Sequence, residues 1–118
     1  MLKDKALTSL AAGESLLAGG FSNDAASRLY YAMYQAAVHA LTQRGRRPEQ
    51  TRSGAVDWDH SMVENNVRTL RGSRADKDLY RAMRSLRVAA DYAPDYIRGA
   101  DVIERHAAVS RFVKELTA

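Results

Sequence analysis

The chain has 118 residues, 46% of them hydrophobic, enough for a single domain with one buried core and too few for two domains of ordinary size. Cysteine is absent, which excludes disulfides, thiolate zinc sites and thiol nucleophiles together and suits a reducing, cytoplasmic setting. Eighteen Lys and Arg against fourteen Asp and Glu give a formal charge of +4, a balance that favours attraction to polyanions such as RNA. The first residues, Met1-Leu2-Lys3-Asp4-Lys5, are charged, and the stretch after them is broken by Gly13, Glu14 and Ser15, so no secretory signal is expected. No run approaches the roughly 20 apolar residues that cross a bilayer.

The two prolines, Pro48 and Pro94, both fall in loop-like stretches, and no alternating strand pattern competes with the helical periodicity. A first helix is expected from about Leu2 to Ala18, with Leu7, Leu10, Ala11 and Leu17 near one face and Gly19-Gly20 as its stop. Ser22 or Asn23 is placed to cap a second helix over about Asp24 to Gln43. That helix carries Ala26, Leu29, Tyr30, Met33, Ala36, Ala37, Ala40 and Leu41 on more than one stripe, the mark of a central helix. Arg44 to Asp57 reads as a long basic loop. The third helix, about Asp57 to Leu70, has Val63, Val67 and Leu70 on its core face, Asp57 or Asp59 as cap, and Gly72 as its end. In a fourth, about Ala75 to Tyr92, Leu79, Met83, Leu86 and Ala90 form the core stripe, while Tyr80, Arg84, Arg87 and Asp91 share a separate face. Pro94 and Gly99 mark a turn, and a last helix over Ala100 to Leu116 buries Val102, Val109, Val113 and Leu116. The expected fold is therefore all-α, an antiparallel up-and-down bundle of four to five helices.

Familiar enzyme chemistries find little footing. His39, His60 and His106 include no pair at the spacing of a helical zinc motif, so no metal site and no cofactor are expected. His39 and His106 fit core-edge or interface positions, and His60, beside Trp58 and Asp59, is the histidine expected to be exposed. No strand-turn-helix elbow surrounds a serine, and Gly19-Gly20 is followed by Phe21 rather than by the Lys-Ser or Lys-Thr of a phosphate loop.

Two segments resemble a known family. Ala26-Ser27-Arg28-Leu29-Tyr30-Tyr31-Ala32-Met33-Tyr34-Gln35-Ala36-Ala37 is similar to the core helix of small prokaryotic HEPN proteins. Leu86-Arg87-Val88-Ala89-Ala90-Asp91-Tyr92-Ala93-Pro94-Asp95-Tyr96 is similar to their second motif. The resemblance spans nearly the whole chain. It implies a bundle of four or five helices that forms a homodimer and acts beside a nucleotidyltransferase-like partner in a toxin–antitoxin or defence pair. Members that cut RNA without a metal use an arginine and a histidine, about four to six residues apart, one to steady the phosphate charge and the other to move the 2′-hydroxyl proton.

In this sequence Arg87 stands at the family arginine's position, and Tyr92, with four residues between, stands where the histidine would be. A tyrosine, with an ordinary pKa of about 10, is a poor base at neutral pH. Arg52 and Arg98 lie one residue too far from His60 and His106 to restore the pattern. The leading expectation is thus a binding or interaction module with a surface of Arg84, Arg87, Asp91 and Tyr92. One alternative is a metal-independent endoribonuclease in which Arg87 works with Tyr92, or with His60 brought close by folding. Another is non-cleaving RNA or nucleotide binding through the basic loop, with Arg44, Arg46 and Arg47. The same residues also admit a purely structural account, an Arg87–Asp91 ion pair one turn apart and tyrosines packed at a core or interface.

Overall fold

The computed structural model describes residues 2–48 and 58–118, and its five helices follow the expected order. Helix α1 covers Leu2–Ala18, α2 Ser22–Gln43, α3 His60–Arg71, α4 Arg74–Tyr92 and α5 Gly99–Leu116. No strand occurs among the described residues. The expected core positions of α2 are all buried, together with Ala25, Ala32 and Val38. The helix so covered packs against each of the other four, which makes it the axis of the bundle. Its many alanines leave room for neighbouring backbones, and α1 uses that room at Gly13, where a Cβ would lie 2.8 Å from Leu29 Cγ.

Local chemistry sets the helix ends. After α1, Gly20 adopts φ 84°, Phe21 N–H donates to Leu16 O (2.9 Å) and Gly20 N–H to Leu17 O (3.1 Å), the paired bonds of a Schellman turn. Asp59 caps α3 by accepting from Met62 N–H at 2.8 Å, and Gly72 at φ 64° ends it. Arg44 then donates to the free carbonyls of Thr69 (3.5 Å) and Leu70 (3.1 Å), a cation placed at the negative end of that helix. Helix α4 stops at Tyr92, because Ala93 precedes Pro94 and is held extended.

Three local expectations are corrected. Neither Ser22 nor Asn23 caps α2, because the helix starts two residues earlier than expected and Phe21 occupies the cap position without a side-chain bond. Asn23 instead turns toward the end of α4, donating to Ala90 O (3.3 Å) and accepting from Ile97 N–H (3.0 Å). Ala11 is exposed, since the buried side of α1 centres on Ala6, Ser9, Leu10 and Gly13. Tyr80, expected with Arg84, Arg87 and Asp91 on a face separate from the core stripe, is instead fully buried, its ring between Tyr30 and Phe112.

Candidate functional site

The two segments that carry the family resemblance lie side by side. Helix α2 offers Ser27, Tyr30, Tyr31 and Tyr34 to the seam with α4, and α4 answers with Tyr80, Arg84, Arg87 and Asp91. The Arg87 guanidinium carbon lies 5.3 Å from the Tyr31 ring centroid and 5.7 Å from that of Tyr30, within cation–π range of both. Its Nη2 donates to the Tyr31 hydroxyl at 2.7 Å. That bond, ahead of the opposing effect of burial, holds the guanidinium firmly charged. Nε, buried and without a hydrogen-bond partner among the described residues, faces Asp91 Oδ2 at 3.5 Å. Asp91 is fixed in turn by the Ser27 hydroxyl, which donates to Oδ1 at 2.9 Å.

His60, the first residue of α3, enters the same cluster. It is half-buried rather than exposed, because its ring packs against Tyr30 and Tyr34 of α2. Its ring centroid lies 4.9 Å from that of Tyr34, 5.5 Å from Tyr30 and 6.1 Å from Tyr31, so it shares two tyrosines with Arg87. Tyr34 is held by its own hydroxyl, which donates to the Trp58 carbonyl. Burial first, and then the charges of Arg87 and Arg84, push the His60 pKa below its ordinary value of 6.5, against a smaller opposing pull from Asp59, so the ring is neutral at pH 7.

Proton placement on that ring follows from the tyrosines. The Tyr30 hydroxyl lies 2.5 Å from His60 Nδ1 and 3.3 Å from the buried Tyr80 hydroxyl. When Tyr80 donates to Tyr30 and Tyr30 to Nδ1, the neutral ring carries its hydrogen on Nε2 and offers a donor. With the chain reversed, Nε2 is an acceptor able to take a proton.

A pocket of about 540 Å³ lined by Leu16, Asp24, Ser27, Arg28 and Tyr31 adjoins this cluster through Ser27, which bonds to Asp91, and Tyr31, which bonds to Arg87. Arg28 is exposed and its guanidinium makes no ion pair or hydrogen bond among the described residues. Arg84 is engaged by Glu64 at 3.4 Å, and so is Arg81. The sequence candidates therefore divide. Arg84, Arg87 and Asp91 are brought together with His60. Tyr92 is 76% exposed, and its side chain makes no hydrogen bond or ring contact with them among the described residues. In the basic segment Arg44 caps α3, Arg46 donates to Asn66 Oδ1 at 2.8 Å, and Arg47 is exposed. The remainder of the expected loop, including Arg52, lies outside the described residues. Sequence reasoning missed Ser27, Arg28 and Tyr31 as site residues, although Asp24, Ser27 or Arg28, and Tyr31 recur at the three- and four-residue spacing of one helical face.

Among the described residues no group of three His, Asp or Glu side chains converges as a metal site, and no helix is long and apolar enough to cross a membrane. An all-α bundle whose central helix and fourth helix enclose an arginine–tyrosine–aspartate cluster defines the class. The family model of the HEPN domain matches residues 1–116, and the chain belongs to that family. The curated proteins and the solved structures give no match to the chain. HEPN proteins are typically linked to nucleotides or RNA, and they commonly dimerise.

Proposed function

We propose that this chain is a HEPN binding module that holds RNA or nucleotide phosphate at the seam of α2 and α4 without cutting it. One observation carries the reading: Arg87, a cation fixed between two tyrosine rings and a carboxylate, is bonded to Tyr31, and Tyr31 lines a pocket that also presents the unpaired Arg28. A guanidinium fixed on Tyr31, with a second, free one in the pocket that Tyr31 lines, suits an oxyanion better than a mobile surface charge does. The Nε2–H form of His60, whose ring packs on the same two tyrosines as Arg87, adds a neutral donor to the cluster. Tyr92, at the position of the family histidine, is 76% exposed and makes no hydrogen bond with Arg87 among the described residues, which argues against the family's cleavage chemistry. Val88 and Tyr92, one turn apart on α4 and both exposed, support a face for a second copy or for a nucleotidyltransferase-like partner in a cytoplasmic toxin–antitoxin or defence pair.

The test is fluorescence anisotropy with a labelled single-stranded RNA over a range of salt. The wild type binds with a log–log salt slope, and Arg28→Ala lowers both affinity and slope, by about 0.7 for one lost phosphate contact. No binding, or binding indifferent to salt and to Arg28, overturns the reading. Light scattering that finds a strict monomer, or failure to co-purify with a co-expressed nucleotidyltransferase-like neighbour, removes the corresponding partner.

A second reading has a specific observation behind it, the approach of His60 and Arg87 to the same two tyrosine rings. With Nε2 as acceptor, His60 would take the 2′-hydroxyl proton while arginine steadies the phosphate. RNA products formed in EDTA by the wild type and lost in both His60→Ala and Arg87→Ala would favour cleavage over binding.

A further inference from the structure

A second pocket, of about 240 Å³, adjoins the first. Gly20, Phe21, Ser22, Asn23, Asp24, Tyr96 and Ile97 line it, and Asp24 is common to both. Large aromatic rings are ordinarily sequestered, yet here Phe21 is 59% and Tyr96 89% exposed at the same opening. Asn23 is responsible for bringing them together. By bonding to Ala90 O on one side and to Ile97 N–H on the other, it staples the segment after α4 across the start of α2. The carboxylate of Asp24 makes no hydrogen bond or ion pair among the described residues. Arg28 follows four residues later on the same helix, a rise of ~6 Å.

We propose that this pocket takes the base and ribose of one single-stranded RNA nucleotide whose phosphate lies in the neighbouring pocket at Arg28 and Tyr31. Phe21 and Tyr96 supply the stacking surfaces, and Asp24 accepts a hydrogen bond from the ribose 2′-hydroxyl. The arrangement matches the chemistry of the ligand part by part. Stacking on aromatic rings is tolerant of base identity and needs exposed rings next to a cationic track. A carboxylate repels phosphate but suits a sugar hydroxyl, so Asp24 between the aromatic and cationic ends fits a ribose and nothing more acidic. The 2′-hydroxyl is the group by which a site tells RNA from DNA, which makes selectivity between the two the direct consequence. This inference rests on the seam being a phosphate site, so its test is arranged to separate the two.

Labelled RNA and DNA oligonucleotides of one sequence are titrated against the wild type, Phe21→Ala, Tyr96→Ala, Asp24→Asn and Arg28→Ala, each checked for helicity by circular dichroism. Loss of either ring lowers RNA affinity roughly 5- to 140-fold with the salt slope unchanged. Asp24→Asn shrinks the preference for RNA over DNA, whatever it does to absolute affinity. If Arg28→Ala weakens binding but both aromatic variants bind like the wild type, or if the RNA preference survives Asp24→Asn, the base and ribose pocket is overturned and the phosphate reading stands. If the wild type binds no RNA, both fall.

Discussion

His60 concentrates the physics of the site in one ring. Burial is the main reason its pKa is lowered, with the Arg87 and Arg84 charges adding to it. Because the unfolded chain takes up the proton more readily than the folded one, His60 contributes stability that is present at neutral pH. That contribution declines as pH falls through the ordinary value of 6.5 toward the lower folded one. An NMR titration of the imidazole should therefore give a midpoint below 6.5. Arg87→Gln should move it up without restoring 6.5, since burial remains. A midpoint at or above 6.5 in the wild type would place the ring outside the cluster. Little of this was legible beforehand: a histidine next to Trp58 and Asp59 reads as a first-turn surface residue. Its neighbours, Tyr30 and Tyr34, lie 30 and 26 positions earlier in the chain.

At the scale of elements, the caps make a matched comparison. Asp59 accepts from Met62 N–H at 2.8 Å with a full charge at the helix N-terminus, whereas Ser73 accepts from Asp76 N–H at 3.4 Å. Asp59→Ala should cost about 1 kcal/mol in urea unfolding, and Ser73→Ala distinctly less. Equal losses would contradict the geometry. Packing between α1 and α2 gives a sharper case, because two effects oppose each other at Gly13. An alanine gains up to about 1 kcal/mol in helix propensity. Its Cβ, however, meets the fully buried Leu29 at 2.8 Å and the Leu29 backbone nitrogen at 3.2 Å, so neither can yield cheaply. Overpacking of this kind costs about 1–3 kcal/mol. Gly13→Ala is expected to lower the melting temperature, and a stabilised variant would show that the helices separate easily. Helix order and the α2 core were legible because they depend on local periodicity and on the punctuation of Gly20, Gly72 and Pro94. The role of Asn23 was not, since it depends on where Ala90 and Ile97 come to rest.

For the whole molecule, the question is how helices that each meet α2 are also fixed to one another at the ends remote from the site. Arg71 performs that function at the end of α3. It pairs with Asp76 of α4 at 3.2 Å and with Glu115 of α5, while its guanidinium lies 5.9 Å from the Phe112 ring. Only a fifth of the side chain is exposed, so these contacts are less screened than those of an ordinary surface pair. Its α5 partner Glu115 lies 44 positions later in the chain, which is why an arginine-rich pattern alone gave no sign that Arg71 differs from Arg68 or Arg74. Losing it should cost about 1–2 kcal/mol, between the values for exposed and buried pairs. Arg71→Met keeps the apolar stem against Phe112 and removes the charge, so it should recover part of the loss of Arg71→Ala. The remaining deficit of the methionine variant, being electrostatic, should shrink as salt is raised in denaturant melts. If the two variants are equally destabilised and the deficit is unchanged by salt, neither the stem nor the ion pairs hold the three helices together. Unchanged RNA binding in both variants is expected as well, because Arg71 belongs to the bundle's framework and not to the α2–α4 seam.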